Sequence, residues 1–352
     1  MSQKIAVGHD ELGRFIRDVL VAHGAREQDA AIVAEGLVWA NLRGGDGHGV
    51  SRLPRYVKLL ASGEIDMKVE PRLTHDRAAT FVLDCGHGFG PVAVMQAAAI
   101  AVKRAKATGI CFGLVRETTH TGAIGRYAQW IAERGCAAVL LGAGPALMAY
   151  HGARVASMAT SPIAIAVPSG NGPIVLDMAT STISNGKILQ ARSTGAQLPP
   201  NTVLSAAGEP TTDPGKAEIL LPLGGPKGSG LGFMFEMLAS VLASAPIQAR
   251  TLGPEKRTRN TGNTAMFVID VESFRPLADY THDVDVLAAI LKALPRQAGF
   301  DEILLPGERS GRTEALRRKS GIPIPGKLWE ELEGIAKAHA VKMPELLSAP
   351  AK

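Results

Sequence analysis

The apolar residues of this chain change their period twice. Near the start, Leu12, Phe15, Ile16, Val19 and Leu20 recur at i, i+3, i+4, i+7 and i+8, which lines one face of a helix. Gly24 stands where a left-handed residue ends that helix, and Ala30, Val33, Ala34, Leu37 and Val38 repeat the spacing. From about residue 76 short β-prone runs take over: ATFVLD (79–84), ICFGLV (110–115), CAAVLLG (136–142), IAIAV (163–167), IVLDM (174–178) and TAMFVID (264–270). Helical segments lie between them. One runs from Pro91 to Gly109 with Val94, Ala98, Ala101, Val102 and Ala105 on one face, and SGLGFMFEMLASVLA (229–243) reads as a buried helix after a glycine turn. After residue 280 the helical period returns in DVLAAILKAL and KLWEELEGIAKAHA. The pattern predicts an α/β (α+β) protein with a central domain over residues 76–279. A helical domain forms from both chain ends, residues 1–75 with 280–352.

A chain of 352 residues, 46% of them apolar and 20% charged, has enough core for two such domains. The net charge of +5 favours small acidic molecules slightly. The basic cluster Arg309, Arg312, Arg317, Arg318 and Lys319 reads as a solvated helix face. With only 5% aromatic residues and no basic stripe, nucleic acid is not an expected partner. Cys85, Cys111 and Cys136 are odd in number, far apart and flanked by apolar residues, which fits reduced core thiols of a cytoplasmic protein and no metal site. MSQKIAVGHDELGRF lacks the apolar core of a signal peptide, and apolar runs such as 136–143 are too short to span a membrane.

Glycine-rich stretches are the places to look for a nucleotide. Neither GxGxxG nor GxxxxGK[ST] occurs in strict form, which disfavours a Rossmann or P-loop site. GGPKGSGLG (224–232) still allows a ligand close to the backbone, with Lys227 ahead of a helix N-terminus, though a tight turn with a solvated lysine reads equally well. RETTHTGAIGRYA (116–128) leads Thr and His into a helix; a Thr-capped helix with a surface histidine is its plainer reading. VLDMATSTISNGKI (175–188) ends a strand on Asp177 and reaches Lys187, either a crevice lining or a cap with an exposed lysine. In RGGDGHGVSRLPRY (43–56), His48 has no apolar neighbours, and its ordinary pKa suits proton transfer at a carbonyl oxygen. Arg52, four residues on, offers a fork of donors for a carboxylate if the segment is helical; a polar surface turn is the alternative.

Together these stretches resemble the type-2 malate/L-lactate dehydrogenase family of NAD(P)H-dependent 2-oxo-acid reductases. That family includes ureidoglycolate and sulfolactate dehydrogenases and the Δ1-piperideine-2-carboxylate reductases. RGGDGHGVSRLPRY is similar to its R-G-x-D-S-H-G-x-x-R, TTHTGAIGRYA to N-H-x-G-x-x-x-Y-A, and MATSPIAIAVP to G-T-N-P-x-x-x-x-x-P. LDMATSTISNGKI is similar to D-M-A-T-S-x-x-x-x-G-K and LGGPKGSGLGFMFEML to G-G-x-K-G-x-x-L, while GEPTTDP and LPGERS also match.

The resemblance implies a non-Rossmann fold, a central mixed-sheet cofactor domain, a helical domain from both ends and a homodimer. It implies His48 as proton donor with Lys187 as a second catalytic residue, and Arg52 and Thr160 on the substrate. The residues it implies for NAD or NADP are His120, Thr121, Gly122, Ala123, Ile124, Asp177, Met178, Ala179, Lys227, Gly228, Gly307, Glu308 and Arg309. The family serine before the histidine is Gly47 here, so a relay through that hydroxyl is lost, and G-T-N-P has become Ala159-Thr160-Ser161-Pro162. Lys187 agrees with the hydroxy-acid dehydrogenases, whereas the cyclic-imine reductases carry an acid there. The implied activity is hydride transfer between NAD(P)H and C2 of a small 2-oxo or 2-hydroxy carboxylate. Reduction of a cyclic imine carboxylate is the alternative, and a non-catalytic dinucleotide-binding homologue a second one.

Overall fold

The computed structural model describes residues 5–253 and 261–347. The chain divides into two compact units: the described residues up to Lys68 with those from Leu304 onward, and the stretch Val69–Ile303. It opens with β1 (Ile5–Val7), α1 (His9–Ala22), α2 (Glu27–Leu42) and α3 (Leu53–Ala61). Then come β2 (Arg72–Asp76), β3 (Thr80–Asp84), α4 (Gly90–Thr108), β4 (Ile110–Thr118), α5 (Gly125–Ala132) and β5 (Cys136–Ala143). Short β6 (Met148–Ala149) and β7 (Ala156–Met158) lead to β8 (Ile163–Val167), β9 (Ile174–Met178) and α6 (Asn185–Thr194). They are followed by β10 (Val203–Leu204), β11 (Ile219–Leu220), α7 (Pro226–Glu236), α8 (Ile247–Leu252), β12 (Gly262–Asp270) and α9 (Leu277–Ala293). The chain closes with α10 (Glu308–Ser320), β13 (Ile322–Ile324) and α11 (Gly326–Ala338).

In the first unit the five periodic residues of α1 are all fully buried, and α2 buries Ala30, Val33, Ala34, Leu37 and Val38. Gly24 takes φ +88° and ends α1 at the expected place. The two chain ends join through the antiparallel pair β1–β13.

The second unit is built on a seven-stranded sheet of order β2-β3-β4-β12-β5-β8-β9. Only β3 and β4 run parallel; every other neighbouring pair is antiparallel. This is the expected mixed sheet and not the parallel crossover series of a Rossmann domain. Side chains alternate across it: Met266 and Val268 of β12 enter the core shared with α4 and α5, while Ala265 enters the core shared with Phe235 and Ala239. Pro91 opens α4 and Gly109, at φ +82°, closes it. A second, four-stranded sheet has the order β10-β11-β6-β7.

Some elements carried little sequence signal. RLTHD of β2 is exposed throughout, so it has no apolar alternation to read, and β6, β7, β10 and β11 are only two or three residues long. The segment 229–243 is not the buried helix its composition suggests. α7 gives way to a π-helical turn over Met237–Val241, and Leu231, Phe233, Met234, Val241 and Leu242 face outward. α9 buries none of its residues, leaving Val286, Leu287, Ile290 and Leu291 exposed. The three cysteines are buried free thiols, and burial pushes the pKa of Cys85 up to about 12 and that of Cys111 to about 11. Among the described residues no helix is long and apolar enough to cross a membrane.

Candidate active site

In the first unit, the glycine-rich stretch after α2 folds into two successive 3-10 turns, Asp46–His48 and Val50–Arg52, separated by extended Gly49. His48 ends the first turn, its N–H donating to the Gly45 carbonyl at 2.8 Å. Arg52 ends the second, and its Nε donates back to the Gly47 carbonyl at 2.5 Å. Crowding by surrounding protein atoms, and then the Arg52 charge, lower the His48 pKa to about 4, although the residue is exposed at the surface of its unit. Arg52 is half-buried, and among the described residues no acceptor takes its terminal guanidinium nitrogens. Its own pKa is lowered first by burial, as expected for a cation without an anionic partner. One turn further on, Tyr56 is buried, and that burial raises its phenol pKa while the Arg52 charge opposes the shift.

The same unit holds Gly307, Glu308 and Arg309 at the start of α10. Gly307 is the N-cap at φ +85°, and the Glu308 carboxylate accepts the Leu305 N–H at 3.1 Å. Arg43 reaches this corner, pairing with Glu314 at 3.2 Å and donating to the Ser310 hydroxyl at 3.1 Å. Arg309, Arg312, Arg318 and Lys319 are exposed as a solvated helix face would be, but Arg317 is not, its side chain being only 15% exposed.

The second unit holds the other expected residues. His120–Ile124 form the loop between β4 and α5. The loop is fixed by main-chain contacts: the Tyr127 hydroxyl donates to the Thr121 carbonyl at 2.6 Å, and Gly122 turns at φ +76°. Asp177, near the end of β9, accepts the Gly125 N–H at 3.0 Å and so ties that strand to the start of α5. Thr180 donates both its N–H and its hydroxyl to the Thr160 carbonyl, each at 2.9 Å, and its own carbonyl accepts the Leu223 N–H at 2.8 Å. Gly228 follows at the entry to α7, its N–H on the Leu223 carbonyl at 2.7 Å. Thus Thr160 and the Lys227–Gly228 turn are joined through Thr180, which follows the segment 177–179, and through Leu223. Lys187 lies on α6, exposed, its N–H capped by the Ser184 hydroxyl at 3.3 Å.

Two glycines of this unit are required by close packing. A Cβ at Gly228 would lie 2.5 Å from the Thr180 oxygen, and one at Gly125 would lie 2.5 Å from the Asp177 carboxylate. Both glycines therefore lie flush against neighbouring atoms where no side chain fits, and the Lys227 charge stands at the entry to α7. Among the described residues no three His, Cys, Asp or Glu side chains converge as a metal site. Sequence reasoning missed Asn41, Asp46, Tyr56 and Arg317. Asn41 and Tyr56 fall on the apolar stripes of helices, and Arg317 hid within a charge run.

The model of the malate/L-lactate dehydrogenase family matches residues 7–333. The malate dehydrogenase of Pyrococcus horikoshii is 34% identical, covering 96% of this chain and 96% of its own. A Δ1-pyrroline-2-carboxylate reductase of Ancylobacter novellus is 30% identical over 95% of this chain and 98% of its own. The structure of sulfolactate dehydrogenase from Methanocaldococcus jannaschii superposes with a TM-score of 0.88 at 32% identity, covering 96% of this chain and 98% of that one.

Proposed function

The chain belongs to the malate/L-lactate dehydrogenase family, and from that premise we propose that it moves a hydride between NAD(P)H and C2 of a small 2-oxo or 2-hydroxy carboxylate. It is an oxidoreductase of this family's small 2-oxo and 2-hydroxy acids, and the family's cofactor is NAD or NADP. The observation that carries the finer reading is Arg52. It is a half-buried guanidinium whose terminal nitrogens have no acceptor among the described residues, placed beside an imidazole whose pKa it depresses.

In reduction, Arg52 takes the substrate carboxylate in a two-pronged bond, and a ring nitrogen of His48 gives its proton to the C2 oxygen as that oxygen becomes an alkoxide. The nicotinamide, when bound, supplies the hydride. Substrate binding neutralises the Arg52 charge, which lets the His48 pKa rise toward the value a proton donor needs. In oxidation the neutral ring accepts the proton. Thr160 lines the substrate side. His120, Thr121, Gly122, Ala123, Ile124, Asp177, Met178, Ala179, Lys227 and Gly228 hold the cofactor, with Gly307, Glu308 and Arg309 at its far end. Lys187 favours a carbonyl substrate over an imine.

A second reading, reduction of a cyclic imine carboxylate, is supported by the 30% identity to the Ancylobacter reductase. Initial rates with NADH and NADPH against pyruvate, oxaloacetate, sulfopyruvate and Δ1-pyrroline-2-carboxylate separate the two and name the cofactor. A 2-oxo acid is expected to be turned over fastest; activity confined to the imine would overturn the first reading. The outward apolar stripe of α9 supports a homodimer, to be checked by light scattering at micromolar concentration. The three buried free thiols fit a cytoplasmic setting.

A further inference from the structure

His48 lies between Gly47 and Gly49, and no hydroxyl precedes it to orient the ring. Such a segment needs another source of rigidity. The structure supplies one from two helices of the same unit. From α10, Arg317 grips the Asp46 carboxylate with both terminal nitrogens, Nη1 at 2.6 Å and Nη2 at 3.0 Å, and Nη1 also donates to the Asn41 main-chain carbonyl. From α2, the buried Asn41 side chain donates to the same Asp46 oxygen at 2.7 Å and accepts the Val50 N–H at 2.7 Å. The first residues of both 3-10 turns are thereby anchored on one asparagine, and His48 is carried between the anchors. The Ser51 hydroxyl closes the loop on the Asp46 carbonyl at 2.6 Å. There is no slack: a Cβ at Gly49 would come within 2.2 to 2.4 Å of three Asn41 side-chain atoms.

We propose that Arg317, acting through Asp46 and Asn41, is a positioning residue that sets the orientation of the His48 imidazole for proton transfer. The proposal rests on the reading of His48 as the proton-transfer group. An isolated exposed ion pair would do little, and Asp46 is half exposed. The two-pronged geometry and the buried amide behind it are what give this pair direction. Misplacing a catalytic group by about 1 Å costs about a hundredfold in rate.

The test uses the full-length protein with the best 2-oxo acid from the rate screen. R317A and D46N are expected to lower kcat by about ten- to a hundredfold while the cofactor dissociation constant, read by fluorescence, stays within twofold. The limb of the pH–rate profile assigned to His48 should move upward as the loosened ring is rehydrated. A role confined to fold stability would scale the whole profile without moving that limb. R317K, which keeps the charge but loses the fork, should recover part of the loss. The D46N/R317A double variant should be no slower than the slower single one. R318A, on the exposed face of the same helix, serves as the control and should match the parent. If R317A folds poorly, D46N and R317K carry the test. A folded D46N with parental kcat and an unmoved pH limb overturns the proposal while H48A remains crippled. Parental kcat in H48A overturns instead the reading beneath it.

Discussion

The His48 segment and the corner around Gly228 solve the same problem, holding a flexible glycine-rich chain still, by opposite means. Around His48 side chains do it: a guanidinium, a carboxylate and a buried amide reach in from two helices. Around Gly228 the main chain does it, through carbonyl-to-amide bonds among Thr160, Thr180, Leu223 and Gly228. The first arrangement sets the direction of one ring, and its weak point is the loss of a side chain. The second packs main chain on main chain with no room for a Cβ, and its weak point is the gain of a side chain.

The widest separation between the two should come from His48→Ala. It is expected to cut turnover by about 10²- to 10⁴-fold with cofactor affinity nearly intact. Equal loss of both in steady-state and binding assays would erase the contrast. Gly228→Ala should do the reverse. Its Cβ meets the Thr180 and Leu223 oxygens at 2.5 and 2.7 Å, so cofactor affinity should fall about tenfold or more and the melting temperature should drop, with about 1–3 kcal/mol of strain. Unchanged affinity in a titration would show that the turn is not the cofactor's cradle.

The pH dependence sharpens the side-chain half. His48 titrates from a value lowered to about 4, so the free protein carries it neutral at pH 7. Oxidation, which needs the neutral ring, should keep its kcat/KM between pH 8 and 6 and lose it only as the pH falls toward 4. Reduction, which needs the protonated ring, should still be gaining in kcat/KM below pH 6. A break near 6.5 in both directions would mean an imidazole that neither Arg52 nor burial perturbs. Asp177→Asn keeps the shape but weakens the bond to the Gly125 N–H, so a smaller loss of cofactor affinity is expected, about three- to tenfold. Lys187→Met is expected to change least, within about threefold for a 2-oxo acid, since its exposed side chain has no partner among the described residues. A larger loss would bring Lys187 into the chemistry with His48.

Much of this was legible before any coordinates. The strands Ile163–Val167 and Ile174–Met178 sit where their apolar β-prone runs put them, and α1 and α4 end on the glycines that their patterns marked. The exposed strand Arg72–Asp76 was not legible, because a strand with no buried face has nothing to alternate. Nor was the π-helical turn at Met237–Val241, since apolar content alone does not say which side of a helix is covered.

The amino-acid order by itself determined most local conformations and the failure of a Rossmann signature, and it singled out His48, Arg52 and the glycine-rich turns as candidates for the chemistry. These depend on neighbours within a few residues. The fold alone decided that Arg317 leaves the solvated face of its helix to grip Asp46, 271 residues earlier, and that Asp177 secures Gly125, 52 positions before it. A fork of donors and a carboxylate recognise each other only at about 3 Å. No periodicity brings two residues that close across separations this long; packing of the helices and sheets does.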